Sequence, residues 1–140
     1  MFRKILLAYD GSEGADRALE AGINLAKLHQ GELWAVAVME GGPRFSATID
    51  EVQEERDFAL RHYGKILEEA QAKARDAGVE METLRCPGHP AQAILQVARE
   101  GNFDLVVLGH SGVSGVWAKF LGTTAEKVSR HAPCSVLIVR

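Results

Sequence analysis

Four short apolar runs, Ile5 to Tyr9, Leu33 to Met39, Asp104 to Leu108 and Ser135 to Val139, are separated by stretches long enough for helices. Unbroken apolar runs of this length, as at Leu33 to Met39 and after Asp104, suit buried strands, whereas Val136 to Val139 reads as an apolar edge. Helical spacing fills the gaps. Ala15, Leu19, Ile23 and Ala26 predict a first helix, with Ser12 at its N-cap and Gly31 closing it at a C′ position. Val52, Ala59, Tyr63, Ile66, Ala70 and Ala74 predict a second from about Thr48 to Ala77, ended by Gly78. Glu40 to Phe45 before it reads as a turn-rich linker. Val79 to Cys86 alternates, as an edge strand does. Pro90 suits the first turn of a third helix that Gly101 stops. Alternating strands and helices predict an α/β chain with a parallel sheet and right-handed crossovers.

The next constraint is the stretch Gly109 to Thr124, GHSGVSGVWAKFLGTT, between the strand at Asp104 to Leu108 and a helix reading from Ala125 to His131. Strand, glycine-rich loop and helix start together favour an anion. Glycines let backbone N–H groups approach oxygen atoms, and the helix start adds unpaired donors and partial positive charge. Gly112 and Gly122 are expected to act by close approach and by dihedrals closed to other residues. The loop is neither a P-loop nor a dinucleotide fingerprint, because Gly-x4-Gly-Lys-Ser/Thr and Gly-x-Gly-x2-Gly are both absent. Taken alone, it could also be a surface connector.

Gly109-x2-Gly112-x9-Gly122-Thr123 resembles the nucleotide signature of ATP-binding universal stress proteins. The opening Lys4 to Ser12, the turn Gly88 to Ala91 and the closing Ala132 to Val139 are similar to other parts of that family. The likeness covers essentially the whole chain. It implies an open, doubly wound five-stranded parallel sheet of order 3-2-1-4-5, helices on both faces, of the adenine nucleotide alpha hydrolase-like kind. One domain would span residues 1–140. In that order the first and fourth strands are neighbours at a topological switch, where open α/β sheets bind ligands.

The resemblance further implies ATP, with Mg²⁺ bridging its phosphates. The base and ribose would lie at Ala8, Tyr9, Asp10 and Val38. The phosphates would lie at Leu108, Gly109, Ser111, Gly112, Gly122, Thr123 and Thr124. Asp10 could equally be an Asx-turn residue ending a strand, and Val38 a core valine whose main chain alone serves. His110 reads either as an exposed loop residue or as a phosphate donor. Lys119 is the loop's one Lys or Arg, and Trp117 and Phe120 are expected to pack the loop down or meet a partner.

The net charge of -3 argues against nucleic acid or an anionic membrane held by bulk electrostatics. No apolar run approaches the roughly 20 residues of a membrane span, and the N-terminus lacks a signal-peptide pattern. A cytoplasmic protein is expected. The five histidines are scattered and neither of the two cysteines stands in metal-binding spacing.

The functional reading is a regulatory or stress-response protein that passes its nucleotide state to a regulated protein, unknown from sequence. The family likeness also implies a homodimer through residues 134–139. Slow ATP hydrolysis or phosphotransfer is the enzymatic alternative. Against efficient turnover, no oriented base and no arginine finger are in view. A receiver-like switch would want a further acid, and Leu84 to Pro87 holds none. A ligand-free structural dimer is the remaining alternative.

Overall fold

The computed structural model describes residues 1–40, 48–111 and 120–140. Nine elements follow in chain order: β1 Lys4–Ala8, α1 Glu13–His29, β2 Glu32–Met39, α2 Ile49–Asp76, β3 Met81–Pro87, α3 Pro90–Glu100, β4 Leu105–Gly109, α4 Thr123–His131 and β5 Ser135–Val139. The strands form one sheet of order β3-β2-β1-β4-β5, and every pairing is parallel. Strand order and class are those the sequence implies.

Both faces of the sheet are covered, which explains the unbroken apolar runs. Ile5, Leu7, Leu105 and Val107 join the face packed by α1 and α2. Leu6, Val106 and Leu108 join the opposite face with Ala91, Ile94, Ala98, Ala125 and Val128 of α3 and α4. Side chains buried this completely contribute about 1.5–3 kcal/mol each. Such burial concentrates in the central strands, whereas β3 and β5 at the edges show alternating exposure. Asp104 precedes β4 rather than opening it, and its carboxylate accepts from the Arg3 and Lys4 N–H groups at 2.8 and 3.1 Å. That ties the start of β1 to its neighbour.

The helix ends follow local chemistry. Ser12 caps α1, its hydroxyl accepting from the Ala15 N–H at 3.1 Å, and Thr48 caps α2 by accepting from Glu51 N–H at 3.1 Å. At the far end of α1 the left-handed residue is Gln30, φ 53°, not Gly31. Gly31 is needed for space, since a Cβ there would lie 2.6 Å from the Phe2 carbonyl oxygen. Likewise the left-handed position after α3 falls on Asn102, φ 54°, one residue beyond Gly101. Gly78 does end α2 in that conformation, at φ 86°.

Gly64 sits inside α2, where glycine costs about 1 kcal/mol relative to alanine. The sheet supplies a reason. The Arg85 guanidinium of β3 lies across it, donating to the Leu60 carbonyl at 2.9 Å. A Cβ on Gly64 would stand 3.1 Å from its Nη1.

Cys86 and Cys134 lie at opposite edges of the sheet, and both are free thiols. Four strand spacings amount to about 19 Å, against the roughly 7 Å Cα limit of a disulfide. Burial raises both thiol pKa values above their ordinary range, which lowers the reactive thiolate fraction at a given pH. Denatured, unreduced protein should therefore titrate two thiols per chain, and the folded protein should alkylate more slowly at pH 8. A monomer without free thiols would contradict this strand order.

Candidate functional site

The topological switch lies between β1 and β4, which pair from Ile5↔Leu105 to Leu7↔Val107. Their carboxyl ends carry the two halves of the expected site, the Ala8 to Ser12 turn and the chain leaving Gly109. The first half is a tight Asx turn, in which Asp10 Oδ1 accepts from the Ser12 N–H at 2.9 Å. The turn reading of Asp10 is thus realised, and it holds an exposed carboxylate at the end of β1.

Tyr9 does not face this crevice. Its ring is buried in the core beneath α1 and α2, because residues 5, 7 and 9 point to that side of the sheet. Its hydroxyl donates to Asp16 Oδ1 at 2.5 Å, and Lys73 of α2 reaches the same oxygen at 3.4 Å. Burial first, then the hydrogen bond to Asp16, raise the Tyr9 pKa well above its ordinary 10.0. The raised value makes this clasp a contribution present below pH 10 and lost only as alkali ionises the phenol. For ligand contact Tyr9 retains its main chain, whose N–H already donates to the Val36 carbonyl at 2.9 Å.

Ala8 and Val38 are half-buried against the α3 and α4 face, and Leu108 is buried there. Their side chains are structural. Behind Asp10, Ile66 of α2 comes within 3.5 Å of where a Gly11 Cβ would be. Tyr63, one turn earlier, has its pKa raised by burial and then by the charges of Glu40 and Asp10. Tyr63 was expected only as a core position, and no local pattern announces that it neighbours Asp10.

The second half begins at Gly109, which serves packing as well as any ligand. A Cβ on Gly109 would lie 2.8 Å from the carbonyl carbon and oxygen of Gly14, and one on Gly14 would lie 2.5 Å from the Ser111 carbonyl oxygen. These two glycines let the first turn of α1 rest on the backbone leaving β4. Sequence reading missed Gly14. The available signal was a glycine in a helix's first turn, where most residues are tolerated.

His110 is buried, with 9% of its surface exposed, so it is not an exposed loop residue. Its N–H donates to the Val139 carbonyl at 2.8 Å, and its carbonyl accepts from the Gly122 N–H at 2.8 Å. This pair of bonds returns the chain to the crevice. α4 starts there, two residues earlier than the Ala125 expected, so Thr123 and Thr124 lie in its first turn. Gly122 offers no side chain to cap that turn. Its φ of -61° and ψ of 152° are open to any residue, so the expected dihedral requirement does not hold at Gly122. Thr123 is exposed, Thr124 half-buried and Ser111 half-buried. Phe120 is 65% exposed, and its side chain is not sunk into the core. Gly112, Trp117 and Lys119, like the linker from Gly41 onward, lie outside the described residues.

The described geometry therefore presents one exposed carboxylate and an uncapped helix start at the ends of two adjacent strands. Among the described residues no group of three His, Cys, Asp or Glu side chains is placed to hold a metal ion. Nor is any helix among them long and apolar enough to cross a membrane.

Comparison with known proteins agrees with this fold. Universal stress protein YxiE of Bacillus subtilis is 38% identical, with all of both chains covered. The structure of universal stress protein UspA from Lactobacillus plantarum superposes with a TM-score of 0.89 at 27% identity, covering 99% of this chain and 98% of that one. A universal stress protein solved in complex with cAMP matches with a TM-score of 0.77 at 26% identity, covering 99% of this chain and 97% of its own. The model of the universal stress protein family matches residues 1–140, and the chain belongs to that family.

Proposed function

We propose that this protein binds an adenine nucleotide, with ATP as the principal ligand, at the crevice between β1 and β4. The observation that carries the reading is the return of α4. The Gly122 N–H bond to the His110 carbonyl at 2.8 Å sets an uncapped helix start beside the strand ends. Unpaired N–H groups and the helix dipole favour phosphate there. The base and ribose would lie against the main chain of Ala8, Tyr9 and Val38 and the Asp10 carboxylate. The phosphates would lie against Gly109, Ser111, Gly112, Gly122, Thr123 and Thr124. The relative solved with cAMP supports an adenine-bearing ligand on this fold. With ATP bound, Mg²⁺, which takes few protein ligands, would ride on the phosphate oxygens.

The role that follows is regulatory: nucleotide occupancy is read by a partner protein in the cytoplasm. Mass spectrometry of small molecules released by denaturing the purified protein is the direct test. Adenine nucleotide near one equivalent per chain is the expected result. A protein that releases none, and gives no calorimetric signal with added ATP, would remove the proposal.

Assembly belongs to the same reading. β5 is an edge strand, and Leu137 on it is 38% exposed. Such an edge accepts a second copy across a two-fold axis. Sedimentation should give a dimer at micromolar concentration, weakened by Leu137→Lys, since Val136 and Ile138 pack into the core. A wild-type monomer would count against it.

A further inference from the structure

Leu60, Arg61, Gly64, Lys65 and Glu68 recur along one flank of α2, away from the flank that carries Tyr63, Ile66 and Leu67 inward. With Arg85 of β3 they line a groove of about 330 Å³. It holds three cations against one carboxylate, on a chain whose net charge is -3. Arg85 is held in place by its bond to the Leu60 carbonyl at 2.9 Å. Neither Arg61 nor Lys65 is in an ion pair among the described residues.

Two local rules of helix building fail at this spot together. Gly64 sits inside an unbroken 28-residue helix, and the like charges Arg61 and Lys65 stand at the unfavourable i,i+4 spacing, with Asp57 and Glu69 one turn to either side of the pair. Places where local preference is overridden tend to be functional. A bound anion would relieve the repulsion, and the seat on Gly64 holds the guanidinium fork ready for it. Arginine forks match phosphoryl oxygens, and lysine adds a point charge.

We propose that this groove is a second anion site, for a compact ligand bearing phosphoryl groups. It is formed by α2 and the edge strand β3, whereas the candidate nucleotide site is formed by the ends of β1 and β4, so either can fail alone. The test is titration of the ¹⁵N-labelled full chain with inorganic pyrophosphate, at ionic strength held constant with potassium chloride. Saturable shifts are expected at the amides of Leu60 to Glu68 and of Arg85. Arg61→Ala with Lys65→Ala should weaken binding by roughly tenfold or more, the scale of one lost charge-assisted hydrogen bond. Both side chains are exposed and in no ion pair among the described residues, so the double variant should melt no lower than wild type, and slightly higher if the repulsion is relieved. Gly122→Val should leave these shifts in place. Shifts confined to Gly109 to Thr124, shifts that never saturate, or wild-type affinity in the double variant would each overturn the site.

Discussion

Gly109→Val and Gly14→Val should each destabilise the protein by about 3 kcal/mol or more in urea denaturation, above the usual 1–3 kcal/mol of an overpacked core. The Gly109 Cβ would lie 2.8 Å from the Gly14 backbone, and the Gly14 Cβ 2.5 Å from the Ser111 carbonyl oxygen. The atoms in the way are main chain, not the free end of a flexible side chain. Relief requires α1 to move off β4. Because α1 begins at the Ser12 cap beside Asp10, that movement also separates the two halves of the candidate site. Nucleotide affinity should fall in whatever fraction remains folded. Gly22→Ala is the control with the opposite sign. Its Cβ would make an ordinary 3.4 Å contact with Leu33, so removing a mid-helix glycine should stabilise by up to about 1 kcal/mol. Valine variants as stable as wild type would show that the close approach of α1 to β4 is not as described.

The second large effect is a split between ligands. Gly122→Val should weaken ATP binding at least about tenfold, the equivalent of roughly 1.4 kcal/mol, and change adenosine binding far less. The ordinary dihedrals at Gly122 sharpen this test, because they are open to valine, and a melting curve on the variant checks that it is folded. Asp10→Ala should weaken ATP and adenosine alike. It also removes the acceptor for the Ser12 N–H, so Asp10→Asn, which keeps an acceptor, controls for loss of the turn. Thr123→Ala should cost less than Gly122→Val, since the backbone N–H remains. Calorimetry on these variants decides the matter. If Gly122→Val bound ATP as tightly as wild type, the helix start would be a connector and the nucleotide assignment would fall with it.

Placement of β1, β2 and β4 was legible in the sequence because burial on both faces leaves an unbroken apolar run, which neither a solvated strand nor a loop tolerates. Edge character was legible for the converse reason, the alternation from Val79 to Cys86, although the strand itself runs Met81–Pro87. Boundaries slipped where a backbone partner lies far along the chain. Asp104 reads as the start of a strand until its carboxylate is seen bonded to Arg3 and Lys4. Glycines were the least legible residues. Gly31, Gly101 and Gly122 look like conformational punctuation, yet none of the three has a positive φ, and the left-handed positions went to Gln30 and Asn102. A glycine kept for space depends on which chain passes nearby, and no local window contains that information.

The same division runs through the site. By itself the sequence determined the sheet class, the ends of β1 and β4 as places where the chain turns, and the glycine-rich stretch leading into a helix, since each rests on periodicity or residue type over a few positions. Tertiary structure alone decided that Tyr9 turns into the core to meet Asp16, and that His110 is buried between Val139 and Gly122. It also decided that Gly14 and Gly109 clear the way for α1. Each of these depends on contact between segments distant in the chain, where excluded volume and hydrogen-bond satisfaction override local preference.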